Sequence, residues 1–291
     1  MKKAISILFF FVAILGYSQL KHPKASPAAT VIQEVGFTTI KVDYSRPAVR
    51  GRKIFGNRSD GKKGLVPYGR IWRVGANEST KITFDNYFNV AENYFPPGTY
   101  ALYAFPEADE WVVVFHANTS HWGDGRKNYN SEEDAFRIKV KPNSKAAFQE
   151  NFLIAFENIT HDSADLIWHW ENTKIVIPIY VDTQGKMEEQ ISKALQTGPS
   201  AQSYYESARY YVEQGIKYTV ALEYLNKALE LGGDTYYYHR VKSLAEAAMK
   251  DYKSAIESAQ KSLDLAEVQG KDEFVRMNQK NIDLWKGKLE D

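Results

Sequence analysis

Cysteine is absent from all 291 residues. That gap excludes disulfides, thiolate metal sites, a cysteine nucleophile and a lipid-anchored cysteine together. Net charge is nearly absent as well. At +1 the balance offers nothing to draw the chain to nucleic acid or to an anionic membrane. Neither a G-x-S-x-G elbow nor an H-E-x-x-H zinc helix occurs. Beyond the first residues no run is apolar enough to span a bilayer. What remains is the composition of a soluble globular protein, long enough for two domains whose stability comes from packing alone.

The opening residues read as a signal peptide, 1–18. Lys2 and Lys3 give a positive start, Ile5 to Leu15 is almost unbroken apolar sequence, and Gly16-Tyr17-Ser18 offers small residues for cleavage before Gln19. The apolar run is shorter than the ~20 residues a bilayer needs, so cleavage is expected rather than anchoring. The mature protein is therefore expected to be periplasmic or secreted, with no membrane span.

Residues 26–182 read as an all-β domain. Lys21 to Ala29 is an extended entry in which Pro23 and Pro27 block helix. Thr39 to Tyr44, Thr80 to Phe84 and Phe136 to Val140 alternate apolar and polar residues with the period of half-buried strands. Thr99 to Phe105 follows a Pro96-Pro97-Gly98 turn, and Trp111 to Phe115 is apolar enough for a core strand. Asn151 to Phe156, Asp165 to Trp170 and Lys174 to Val181 complete the set. Short strands without intervening helices predict an antiparallel sandwich, with a closed barrel as the alternative.

Residues 186–291 read as all-α. Met187 to Leu195 is helical and Thr197-Gly198-Pro199-Ser200 stops it. Tyr218, Ala221, Leu222, Ala228, Leu229 and Leu231 recur as Tyr252, Ala255, Ile256, Ser262, Leu263 and Leu265, at the 34-residue spacing of a tetratricopeptide repeat. Gly215 before the first tyrosine becomes Met249 before the second, so the copies are degenerate. Phe274 to Leu289 is expected to cap the stack. Such an array points to a protein partner, or to packing on the β domain.

Chemistry concentrates between Lys41 and Thr80. From Lys41 to Arg73, the basic residues Lys41, Arg46, Arg50, Arg52, Lys53, Arg58, Lys62, Lys63, Arg70 and Arg73 are opposed only by Asp43 and Asp60. A field of that sign suits carboxylates, sulfates or phosphates, and a solvated basic face is the plainer reading. Arg46, Arg52 and Arg73 are the stronger candidates, because a guanidinium fork binds an anion through two bonds. Gly56 to Lys62 imitates the start of a phosphate loop. Lys63 stands where Mg²⁺ binding needs Ser or Thr, and Gly64-Leu65-Val66-Pro67 cannot open a helix, so nucleotide binding is rejected.

Within Gly64 to Thr80, Trp72 and Arg73 are expected to alternate across a strand, with Asn77 and Glu78 where it ends. One reading gives Arg73 and Glu78 opposite ends of a ligand, with Asn77 adding directional hydrogen bonds. The other is a buried Arg–Glu pair beside a core Trp72. His116 and His121, with Asp124 nearby, are too loosely spaced for a metal site and read as solvated loop histidines. Trp122-Gly123 suits either a sugar-stacking platform or a loop anchor. Glu132, Glu133 and Asp134 read as a solvated turn.

Several ordered motifs carry a resemblance. Ser26-Pro27, Tyr44-Ser45-Arg46-Pro47, Gly51-Arg52-Lys53-Ile54-Phe55-Gly56, Leu65-Val66-Pro67-Tyr68-Gly69, Trp72 to Glu78 and Pro97-Gly98-Thr99-Tyr100 together resemble a family of exported bacterial proteins known as domain of unknown function 2911. The resemblance spans Ser26 to Val181 and implies a β-rich domain, sometimes followed by tetratricopeptide-like helices. It implies Asn rather than His at position 116, and it brings no activity, substrate or catalytic residue.

The expected function is an exported, non-catalytic binding module. Arg46, Arg52, Trp72, Arg73, Asn77 and Glu78 would form a polar pocket for an anionic or sugar ligand, and the helical repeats would contact a protein. No cofactor, metal or nucleic acid is expected. The first alternative is a hydrolase of envelope glycans or esters with Glu78 as general acid or base. The second is an assembly protein acting only through its repeats.

Overall fold

The computed structural model describes residues 22–57, 60–123 and 127–290. The expected signal peptide lies outside the described residues. Two compact units meet in sequence at Asp182 and Thr183.

The first unit is two antiparallel sheets. The strands are β1 (Ala28–Val35), β2 (Thr38–Ser45), β3 (Thr80–Phe84), β4 (Phe88–Val90), β5 (Asn93–Phe95), β6 (Gly98–Phe105), β7 (Trp111–His116), β8 (Asp134–Val140), β9 (Gln149–Glu157), β10 (Ser163–Glu171) and β11 (Thr173–Val181). One sheet has the order β1-β2-β3-β6-β7-β8 and the other β5-β4-β11-β10-β9. Each keeps two open edges, so the architecture is a sandwich and the closed-barrel alternative is excluded.

Alternation explains the layers. In β11, Thr173, Ile175, Ile177, Ile179 and Val181 turn inward while Lys174, Val176, Pro178 and Tyr180 turn outward. Pro178, which has no N–H to give the ladder, lies opposite Asp165 of β10 at a point where β4, reaching only Tyr180 and Val181, does not pair with it. The two inner faces share one core, with Trp111, Trp168, Trp170, Phe84, Phe88 and Phe115 among its largest members.

β6 and β7 depart from simple alternation because both of their faces are covered. Leu102, Ala104, Val113 and Phe115 face the core. Ala101, Tyr103 and Val114 form a second buried cluster on the opposite face, under Ile71 and Tyr129. The long apolar run from Trp111 to Phe115 reflects that double burial.

The sequence reading missed β1, β4 and β5. β1 starts in the last two residues of the expected extended entry, runs on to Val35, and pairs along its whole length with β2. β4 and β5 are three-residue strands joined by a tight turn at Ala91 and Glu92, both at positive φ, and too short for periodicity to register.

The second unit is six helices: α1 (Thr183–Gln196), α2 (Ala201–Glu213), α3 (Tyr218–Glu230), α4 (Tyr236–Ala248), α5 (Tyr252–Val268) and α6 (Asp272–Glu290). α1 starts four residues before the expected Met187, since Thr183 is already helical and buried. α3 and α5 begin on the two tyrosines that open the repeated segments. Ala221, Ala228, Ala255 and Ala259 have no solvent exposure, as close helix approach requires. Among the described residues no helix is long and apolar enough to cross a membrane.

One buried charge in this unit carries a cost. Glu246 on α4 is almost fully enclosed, its Oε1 lies 3.6 Å from Lys242, and its Oε2 has no hydrogen-bond partner. Burial pushes its carboxyl above the ordinary glutamate value, while Ser258 and Lys242 pull the other way. A raised value in the folded state means stability that is fully present below the unfolded value and is lost as pH rises through the folded one. Glu246→Gln is therefore expected to stabilise the helical unit at neutral pH by about 1–2 kcal/mol and to flatten its stability between mildly acidic and neutral pH. Thermal melts followed by the helical circular-dichroism signal at both pH values check this. An unchanged pH dependence in the variant contradicts it.

Candidate functional site

Residues 72–80 are placed by a backbone register. β3 lies beside β6 with Thr80 opposite Leu102. Two residues further along β6, Ala104 exchanges both backbone hydrogen bonds with Trp72, each 2.8 Å. Trp72 thus stands where one more pair of β3 would stand, and residues 73–79 leave the sheet and return, closed by Thr80 N–H donating to the Arg73 carbonyl at 3.2 Å.

The expected strand through Trp72 and Arg73 is therefore a single bridge. Val74 (φ 53°), Gly75 (φ 134°) and Asn77 (φ 64°) take positive φ, which an extended strand excludes. A Cβ at position 75 would approach the Ser45 carbonyl oxygen to 2.9 Å, so only glycine allows this turn to lie against the end of β2. The Thr80 hydroxyl donates to the Val74 carbonyl and ties the loop at its base.

The six expected site residues separate into three environments. Trp72 is a core residue. Its ring is stacked on Trp170, with centroids 6.1 Å apart and planes at 18°, and it meets Phe55, Trp111, Phe152 and Trp168 edge-on. Its indole N–H donates to the Gly75 carbonyl at 3.3 Å. Arg52, Trp72 and Arg73 line one cavity of about 330 Å³, together with Pro47, Pro67 and Trp170. Arg52 is exposed, its guanidinium held by the Val49 carbonyl at 3.0 Å and the Ala48 carbonyl at 2.6 Å. Those bonds aim the fork while leaving the rest of it free for a ligand.

Asn77 and Glu78 line a different depression of about 290 Å³, with Lys24, Asp43 and Lys81. The Asn77 amide donates to the Ser26 carbonyl at 3.1 Å and to the Ser45 hydroxyl at 3.0 Å, so it fastens the loop to the entry segment and β2. Glu78 pairs with Lys81 at 2.7 Å on a side chain 54% exposed. Arg46 lies apart, its Nε donating to the Phe152 carbonyl at 3.0 Å. Neither a buried Arg73–Glu78 pair nor a shared Arg73–Glu78 pocket is formed.

The wider basic run is dispersed. Lys41 pairs with Asp43 at 2.8 Å, Lys53 with Glu171 at 3.2 Å and Lys62 with Asp60 at 3.8 Å, and Arg58 lies outside the described residues.

The loop between β7 and β8 holds what the sequence reading passed over. Glu78 pairs through its backbone with Trp122, which brings this loop alongside residues 73–79. Trp122 itself is 74% exposed, so it does not pin the loop by burial. His116, expected to be solvated, is 0% exposed. It is the last residue of β7, on the doubly covered face, opposite Asp134 across a break in strand register. His116 Nδ1 lies 2.9 Å from Asp134 Oδ1. Asp134 also accepts from the Tyr129 hydroxyl at 2.7 Å and from Arg137 Nε at 2.6 Å, and its side chain is only 6% exposed. It is no member of a solvated turn.

Glu133 completes this cluster. Its Oε2 lies 3.4 Å from His116 Nε2 and 4.0 Å from His121 Nε2. Asn118 donates to the same carboxylate at 3.3 Å, and the Tyr103 hydroxyl lies 3.5 Å from His121 Nδ1. Burial raises the Tyr103 phenol, with Ser79, Arg73 and Lys81 opposing the shift. Burial and the Asp134 carboxylate both raise Tyr129, with Arg137 opposing, so both hydroxyls remain donors. The signal in the sequence was an acid pair directly preceding a strand that returns beside a strand-end histidine.

The fold and cavity define a class: a two-sheet antiparallel sandwich with an arginine-lined recess, followed in sequence by a helical unit. Residues 26–179 match the family model described as "Protein of unknown function (DUF2911)", and the chain belongs to that family. No curated protein matches it.

The separation of the six residues has a measurable consequence. Trp72→Ala is expected to destabilise the β unit by about 3–5 kcal/mol, as for truncation of a core aromatic. Glu78→Ala is expected to change stability by less than about 0.5 kcal/mol, as for an exposed ion pair. Denaturant unfolding followed by tryptophan fluorescence measures both. A large loss in Glu78→Ala would show that its pairing is structural.

Proposed function

We propose that this protein is an exported binding module whose β unit takes a small anionic ligand, such as an acidic sugar residue, in the cavity between Arg52 and Arg73. The observation that carries this reading is the lining itself: two arginines with Leu65, Pro67 and Ile71 around a recess of about 330 Å³, backed by the buried Trp72–Trp170 stack. That volume is at the small end of ligand pockets and suits one sugar ring or one acidic side chain. Guanidinium forks bind carboxylates or sulfates through paired hydrogen bonds, and Leu65, Pro67 and Ile71 give the same recess an accessible apolar wall.

Export rests on the leader-like residues 1–18, with a periplasmic or secreted location following from it. The 34-residue spacing and the helix pairs support a tetratricopeptide-like array. A recess of about 440 Å³ beside Tyr205, Arg209, Tyr237, Arg240 and Phe274 supports protein contacts through it. The pairing of Glu78 with Lys81 on an exposed surface favours binding over the hydrolase alternative, which needs an unpaired acid in a recess.

Calorimetry with uronate-containing oligosaccharides, sulfated sugars and acidic peptides tests the reading. Wild type is expected to bind at least one of these classes. Arg52→Ala and Arg73→Ala are each expected to weaken binding about 10–100-fold, the loss of one charge-assisted contact. Glu78→Gln, on the neighbouring depression, is expected to leave binding unchanged. Failure of wild type to bind any of them, or binding indifferent to both arginines, overturns the assignment.

A further inference from the structure

We propose that His116, His121 and Glu133 form a binding site for a divalent transition-metal ion of the zinc class, with Asp134 as the outer carboxylate that orients His116. The proposal reverses the expectation of no metal drawn from sequence spacing. It stands apart from the arginine-lined cavity, which none of these residues lines.

The argument starts from one nitrogen. Asp134 is an acceptor already engaged by Tyr129 and Arg137, so His116 Nδ1 takes the donor role towards it. In the neutral ring, Nε2 is then the bare lone pair. That atom is fully buried, has no hydrogen-bond partner, and faces the Glu133 carboxylate at 3.4 Å. A lone pair aimed at a carboxylate oxygen inside a protein is repulsive and unsatisfied. A cation between them removes both faults, and the His121 imidazole converging on the same carboxylate oxygen gives that cation a third ligand, which a proton does not need and a metal ion does.

The spacing fits such a cation. Nitrogen and oxygen ligands about 2.0–2.1 Å from a tetrahedral zinc ion lie about 3.3–3.5 Å from each other. His116 and Glu133 are already at 3.4 Å. His121 Nε2 is 4.0 Å from the same oxygen, and candidate ligand atoms of all three residues lie within 4.8 Å of one another. A modest inward movement of His121, carried on the β7–β8 loop, completes the set. Two imidazoles and a carboxylate suit zinc, cobalt or nickel rather than magnesium or calcium, which prefer all-oxygen surroundings.

The surroundings match what a bound ion requires. A metal-bound imidazole ordinarily donates its other N–H to a carboxylate or carbonyl that fixes the tautomer and raises ligand basicity. Asp134 stands in that position, itself held by a phenol and a guanidinium. Asn118 donates to Glu133 and limits its swing. Glu133 is 39% exposed, giving an ion a way in from solvent. Three protein ligands leave a fourth position for water or a ligand oxygen.

The test uses the chelator-treated full chain. Titration with Zn²⁺ by calorimetry is expected to show one site. Co²⁺ is expected to give the visible absorption of a low-coordinate ion with nitrogen and oxygen ligands. Zn²⁺ is also expected to raise the thermal midpoint of the β unit. Asp134→Asn is expected to weaken affinity about 10–100-fold. His121→Ala and Glu133→Gln, both outside the core strands, are expected to weaken it at least as much. Glu132→Gln on the adjacent exposed position is expected to leave it intact. Absence of Zn²⁺ and Co²⁺ binding overturns the proposal, as does one-site binding unaffected by both His121→Ala and Glu133→Gln.

Discussion

Everything that positions the candidate sites depends on how Trp72 is held. Its backbone is paired with Ala104 in the sheet, and its ring is enclosed by five other aromatic residues of the core. A side chain buried in that way cannot shift without opening a cavity, and its neighbours relax only partly around a void. Residues 73–79 must therefore leave the sheet from one fixed point and return at Thr80. The positive-φ residues Val74, Gly75 and Asn77 are how the chain makes that excursion in so few residues. Arg73 enters the cavity wall, and Asn77 becomes a fastener, because of this geometry rather than through any preference of their own.

The same anchoring links the two chemical regions of the β unit. Central strands with both faces buried need a cover on the outer side, and the chain supplies it with irregular segments. Ile71 comes from the segment before β3, and Tyr129 from the β7–β8 loop. Between them, Tyr103 approaches His121 from the middle of β6. A histidine placed on this covered face cannot be solvated, so its two nitrogens have to be satisfied by groups that the covering loop brings. Asp134 satisfies one. Glu133 stands 3.4 Å from the other with His121 beside it, and that convergence of two imidazoles on one carboxylate separates the cluster from an ordinary structural histidine.

Strand and helix positions were widely legible because alternation and helical spacing are local properties. Thr39 to Tyr44, Lys174 to Val181 and the alanines of the repeated helices declare their buried faces within a few residues. Alternation placed Trp72 and Arg73 on opposite sides without deciding which of them enters the core, and the structure buries Trp72. The extent of the strand was overestimated, because apolar pattern carries no information about a positive φ at Val74. β4 and β5 escaped for a related reason: three residues do not make a period.

The amino-acid sequence by itself determined the class of each half, a strand-rich segment and then a helical one, along with the absence of thiol chemistry and the family motifs from Ser26 onward. Those features follow from residue types and spacings that act over one turn or one pleat. Only the tertiary structure decided the partners. It put Arg52 and Arg73 on the wall of one cavity, sent Glu78 to Lys81, and brought His116, His121 and Glu133 into one cluster. The reason is physical: a side chain's neighbours across a sheet are set by which strands pair and in what register, and that choice is made by burial over the whole core.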